Sequence, residues 1–70
     1  MRKGKCKLKS FGMFTFETLD RNKAELWFGM NTIFEFKEKE NGNFLLIRKG
    51  MALSIPRADF ERMSVISEEV

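Results

Sequence analysis

The pair Asn41-Gly42 constrains this chain more than any other two residues. It separates an arm from Thr32 to Glu40, aromatic and β-branched at first and charged later, from a second arm, Phe44 to Arg48. Asn-Gly accepts positive φ at both central positions of a type I′ turn, the two-residue connection whose twist matches that of paired strands. The two arms are therefore read as a β-hairpin. A two-residue loop sets Glu40 against Asn43, Glu38 against Leu45, Phe36 against Ile47 and Glu35 against Arg48. That register gives one aromatic–β-branched pair and one acid–base pair, both favourable across strands.

The same period-two logic extends outward. Lys5-Cys6-Lys7-Leu8-Lys9 alternates strictly, with Cys6 and Leu8 facing inward and three lysines facing water. An all-lysine outer face suits an edge strand, where charge discourages unwanted pairing. Residues 1–4 carry no pattern that orders them. Phe11 to Thr18 is a further strand, bent at Gly12, with Phe14 and Phe16 on one face. Asp20 to Lys23 reads as a polar turn, and Ala24 to Phe28 as the returning strand, with Trp27 opposite Leu26 and Phe28. After a bend at Gly50, Met51 to Ile55 forms another strand, which Pro56 ends because it cannot donate to a ladder. Arg57 to Ile66 reads as a short, weakly capped helix, with Phe60 and Met63 three apart on its core-facing side. Glu68 and Glu69 read as a tail. The expected fold is mainly β (α+β): five to six antiparallel strands in a small curved sheet or partial barrel, closed by one short C-terminal helix, in one domain of 70 residues. So short a chain buries about 60% of its unfolded surface, so a homodimer is expected.

What the composition lacks narrows the chemistry. The sequence has no histidine and one cysteine. Metal sites built from His and Cys clusters, Ser-His or Cys-His nucleophile pairs and histidine acid/base catalysis are thereby excluded within one chain. The acids at 35, 38 and 40 alternate with lysines on a hairpin arm and read as a solvated face, not a paired-carboxylate site. The glycines are scattered, and none forms a phosphate-cradling loop. No catalytic residue, cofactor, metal or small-molecule substrate is assigned. Cys6 reads as a buried strand residue. Its alternative is a reactive thiol whose pKa Lys5 and Lys7 would lower. One unpaired cysteine fits a reducing, cytoplasmic setting. No apolar run is long enough for a transmembrane segment.

Charge placement supplies the binding candidates. Five of the thirteen basic residues fall in the first ten positions, while the remaining eight face ten acids. Lys5, Lys7 and Lys9, with Arg48 and Lys49, are the candidate contacts for nucleic-acid phosphates or an anionic membrane surface. A solvated terminus explains the same basic head. The eight phenylalanines could stack bases, yet they must also supply most of the core. Trp27, Asn41, Gly42, Gly50, Pro56 and Phe60 are assigned structural roles, and the exposure of Phe11, Trp27 and Phe44 is left open.

Two family resemblances overlap this reading. The succession Trp27, Ile33, Phe44-Leu45-Leu46-Ile47, then Ala52, Ile55-Pro56-Arg57 and Phe60, resembles the C-terminal part of YcxB-like bacterial proteins. That resemblance implies a pleckstrin-homology-like β-fold, usually attached to transmembrane helices and without assigned catalysis. Arg48-Lys49-Gly50-Met51-Ala52-Leu53, followed by Phe60 and Met63, is similar to the end of the positive cofactor four transcriptional coactivators. This second resemblance implies a dimer formed through the helix, single-stranded DNA on a curved sheet, and backbone contacts from Arg48 and Lys49. The leading expectation is a non-enzymatic interaction domain of pleckstrin-homology-like type. The alternative is a dimeric, sequence-tolerant single-stranded nucleic-acid binder.

Overall fold

Period-two alternation becomes strands throughout the chain. The computed structural model describes residues 1–10, 12–17 and 22–69, of which 16 and 17 in backbone only. Among the described residues there are seven strands and one helical turn: β1 (Lys3–Leu8), β2 (Gly12–Glu17), β3 (Lys23–Phe28), β4 (Ile33–Glu38), β5 (Phe44–Arg48), β6 (Met51–Ile55), α1 (Arg57–Phe60) and β7 (Met63–Glu68). Strands β6-β5-β4-β1-β7 form a five-stranded antiparallel sheet in that order, and β2 pairs with β3 in a second sheet. The sheets do not close into a barrel. The fold is thus mainly β with one short helix, and it has seven strands where five to six were expected. Phe11, the Phe16 ring, Thr18 and the first half of the expected turn at 20–23 lie outside the described residues.

The added strand comes from the C-terminus. The helix expected over 57–66 stops at Phe60, and Met63 begins β7. Local preference explains the switch: Ser64, Val65, Ile66 and Ser67 are poor helix formers, and the β-branched pair favours extended backbone. The Phe60–Met63 spacing is not a helical face. Phe60 closes the helical turn, Met63 opens the strand, and both reach the core. By pairing with β1, β7 also changes the place of the lysine-rich strand. β1 is an interior strand between β4 and β7, not an edge. It begins at Lys3, so the N-terminus is part of the sheet. Nor are the last acids a loose tail: Glu68 lies opposite Gly4, and the Glu69 N–H donates to the Lys3 carbonyl at 2.8 Å.

The central hairpin is present, but its register is one residue away from the expected one. Phe36 faces Leu46, Glu35 faces Ile47 and Glu38 faces Phe44. The loop has three residues. The Lys39 N–H donates to the Asn43 carbonyl at 2.8 Å and the Gly42 N–H to the Lys39 carbonyl at 3.0 Å. Only Gly42 of the Asn41-Gly42 pair takes positive φ, at 87°. This three-residue connection places Phe34, Phe36, Phe44 and Leu46 together on the buried face. A one-residue slip would have turned one arm inside out. The two-residue turn occurs instead at Lys49-Gly50, with φ of 48° and 79° and Arg48 facing Met51.

The core lies between the two sheets. Phe14, Leu26 and Phe28 of the β2–β3 hairpin cover one half of the large sheet's inner face. Phe28 meets Phe34 edge-on at 5.0 Å between centroids. The other half is sealed by α1, whose Phe60 ring stacks on Phe44 at 3.9 Å and 4°. Phe44 is completely buried. Trp27 points the other way and is 68% exposed, so the structural role expected for it is not found.

Candidate functional site

With its inner face packed, the large sheet leaves its outer face open. Pleat and register fix what stands there. Lys3, Lys5 and Lys7 of β1 lie opposite Lys37, Glu35 and Ile33 of β4, and Glu35 in turn lies opposite Ile47 of β5. All three β1 lysines and Lys37 are exposed, and Ile33 is 55% exposed. Four lysines therefore share a face with one central acid, Glu35. Lys3 and Lys37 are direct cross-strand partners of like charge, an arrangement that destabilises a sheet unless an anion lies between them.

Two adjoining hollows run along this face. One, of about 310 Å³, is lined by Lys3, Lys5, Glu35, Lys37, Ile47 and Glu69. The other, of about 510 Å³, is lined by Lys5, Ile33, Glu35, Ile47, Arg48 and Lys49. Shared Lys5, Glu35 and Ile47 join them into one trough. Of the two groups of basic candidates from opposite ends of the sequence, Arg48 shares the pleat of Phe44 and Leu46 and belongs to the inner face, whereas Lys5 and Lys7 stand on the outer face and Lys49 lies at the turn that ends it. Lys9 does not join them. It lies past the end of β1 and donates its Nζ to the Glu61 carbonyl at 3.2 Å. Lys3 and Lys37, which sequence reasoning missed, do. The signal that could have found them is the β1–β4 pairing, since the 33-35-37 alternation matches that of 3-5-7.

Free charge on this face is concentrated in few residues. Lys3 is 3.3 Å from Glu69. Lys5, Lys7, Lys37, Arg48 and Lys49 take no part in the ion pairs among the described residues. Arg2, also part of the basic head, is committed elsewhere. Its guanidinium lies 5.5 Å from the Phe60 ring centroid and donates twice to the Glu68 carboxylate, at 2.9 and 3.0 Å. The expected solvated acid Glu38 is likewise engaged, accepting from the Arg2 backbone N–H at 3.0 Å and from Arg57. Arg2 therefore caps the aromatic core, and the head divides into structural and free charges.

These contacts set a pH dependence. Hydrogen bonds from Arg2, and its charge, hold the Glu68 carboxyl below its ordinary value. For Glu38 the Arg2 backbone bond is the main cause, followed by the bond from Arg57. A carboxyl lowered in the folded state stabilises fully above its unfolded pKa and loses that contribution as pH falls through the folded value. Thermal stability is accordingly expected to hold near neutrality and to fall from about pH 4.3 downward. Melting curves of Glu68→Gln should be flatter than wild type across that acid window; an equally steep decline would mean that the pair with Arg2 is not involved.

Cys6 provides no reactive group. Its side chain is buried, and burial pushes the thiol up to about 11, while Lys5 and Lys7 project from the opposite face. The lysine-lowered thiolate that the sequence allowed is thereby overturned. A disulfide-exchange reagent at neutral pH is expected to leave the folded protein unlabelled and to titrate one thiol after denaturation.

Trp27 stands opposite Met13 on the outer side of the β2–β3 pair, away from the trough. The described phenylalanines pack in the core, so the lysine face has an aliphatic floor and no stacking ring. Among the described residues no helix is long and apolar enough to cross a membrane. The chain matches no protein-family model, no curated protein and no solved structure.

Proposed function

We propose that this chain is a non-enzymatic interaction domain whose lysine-lined trough holds the sugar–phosphate backbone of single-stranded nucleic acid. The observation that carries the reading is the concentration of unpaired lysines on one sheet face: Lys5, Lys37 and Lys49 line the trough, and Lys7 stands beside it opposite Ile33. Along β1 the lysine row from residue 3 to residue 7 spans about 14 Å. A positively charged groove of this kind follows a flexible backbone, whereas a bilayer offers a broad plane with nothing to fill a trough. With no aromatic ring among the described residues of the face, binding rests on charge and tolerates any sequence.

The test is fluorescence anisotropy of a labelled homopolymeric oligonucleotide over a range of salt. Affinity should fall with salt at a log–log slope of about −3, from roughly 0.7 per neutralised phosphate and the four unpaired lysines. Absence of binding at low salt overturns the reading, and binding indifferent to salt removes its charge-led basis. Failure with oligonucleotides but co-sedimentation with anionic vesicles would return the domain to the pleckstrin-homology-like expectation of a membrane-surface module.

A further inference from the structure

The large sheet has two edges, and they are treated differently. β6 has β2 beside it and is followed by Pro56. Among the described residues β7 pairs only with β1 and forms the other edge of the sheet. An unpaired strand edge offers a row of backbone donors and acceptors to any extended chain, and natural edges are usually guarded by lysine, proline or inward-pointing charge. From Met63 to Ser67, β7 has none of these. It exposes Val65 at 39% and Ile66 at 50%.

The sequence of this edge complements itself. Read antiparallel against a copy, Arg62-Met63-Ser64-Val65 meets Glu69-Glu68-Ser67-Ile66. Each serine opposes a serine and Val65 opposes Ile66. The flanking charges are held within the chain, Arg62 on the Met13 carbonyl at 2.8 Å, Glu68 by Arg2 and Glu69 by Lys3, so the match rests on the four central residues. The fold supports the same register. The β1–β7 ladder shifts between Lys5 and Cys6, so that Ser64 and Ser67 pair with Lys7 and Lys5 on the outer face while Val65 pairs with Cys6 on the inner one. Residue 66 is the extra residue of that bulge. Without it, Ser64 and Ser67 would fall on opposite faces and the serine-to-serine match would fail.

We propose that the free edge of β7 is a homodimer interface, on which a second copy of this chain pairs its own β7 antiparallel about a twofold axis between Val65 and Ile66. The axis stands perpendicular to the sheet, so both outer faces look the same way. A continuous sheet of ten strands results, with the two β1 lysine rows about 14 Å apart, three strand spacings. The interface needs no nucleic acid, so its test is separate from that of the trough.

Light scattering and sedimentation equilibrium of the full chain, over a range of protein concentration and without nucleic acid, should show the mass rising from 8.2 kDa toward twice that value. Ile66→Lys places a charge against the partner's Val65 and should weaken the dimer about tenfold or more. Since that variant could also perturb folding, the register is tested separately. Ser64→Cys mixed with Ser67→Cys should cross-link under a mild oxidant, and each alone should cross-link far less, because the two copies of residue 64 lie three positions out of register. Buried Cys6 does not interfere. A mass of 8.2 kDa at every concentration overturns the proposal. So does a dimer insensitive to Ile66→Lys, or cross-linking as efficient in the single variants as in the mixture.

Discussion

Phe44→Ala is expected to lower stability by about 3–5 kcal/mol, the largest single-residue effect in this fold. A chain of this size has roughly 4–10 kcal/mol in total, so about a third or more would be lost. Phe44 has no solvent exposure and contacts both layers of the core. Its ring stacks on Phe60 at 3.9 Å and lies 6.2 Å from Phe36. Removing it deletes apolar burial, leaves a cavity and frees α1, which has four residues and no side-chain cap to hold it. The two contributions add, because a helical turn this short has no stability apart from its packing. Urea unfolding followed by circular dichroism reads the change. Phe44→Leu should lose less by filling part of the space. Trp27→Ala should stay within about 0.5 kcal/mol, since that side chain is exposed. A Phe44→Ala loss below about 1 kcal/mol would mean that the Phe44–Phe60 stack does not hold the helix end of the core.

The two largest aromatic positions show what the sequence can and cannot announce. Alternation identified the strands and placed Cys6, Leu8 and Phe14 inward, because a half-buried strand writes its two faces into its period. It left the exposure of Phe44 and Trp27 undecided: Phe44 begins its run, where one residue of register decides its face, and Trp27 was set opposite Leu26 and Phe28 with nothing local to say what covers that side. Register is where the local signal gave way. Asn41-Gly42 has the composition of a two-residue turn, yet the requirement that Phe36 and Leu46 be buried together selects a three-residue loop. Packing of four aromatic and aliphatic side chains outweighs the preference of one turn. Lys49-Gly50 takes the two-residue turn although lysine is a poor residue for positive φ, because five residues of β5–β6 pairing fix both ends.

The C-terminus was illegible for a related reason. Phe60 and Met63 satisfy a helical spacing, and nothing local shows that β1 needs a second neighbour. That need is a property of the assembled sheet. Once β7 occupies the place, Arg2 and Glu68, 66 positions apart, become partners. The candidate site follows the same pattern. Lysines 5 and 7 were visible as a row, and Arg48 with Lys49 as a pair. The trough, and the contribution of Lys3 and Lys37, depend on β4 lying between β1 and β5, which no single segment encodes.

Replacing Lys5, Lys7 and Lys37 together by glutamine is expected to remove most of the oligonucleotide affinity and to reduce the magnitude of the salt slope by about 2. The three residues are exposed and lie outside the ion pairs of the described chain, so the fold should survive their loss. Stability should rise slightly, because Lys37→Gln relieves the like-charge pair with Lys3. Glu35→Gln should act in the opposite direction: it removes the acid central to the lysine face and tightens binding while leaving every basic residue in place. Net charge alone could produce both trends, and Lys23→Gln separates the explanations. Lys23 carries the same charge on β3, in the other sheet. In the trough reading its loss leaves the salt slope unchanged, whereas each of Lys5, Lys7 and Lys37 lowers it by about 0.7. Equal slopes for all four single variants would mean that charge count holds the anion wherever it falls, and the assignment of the outer face would be lost with it.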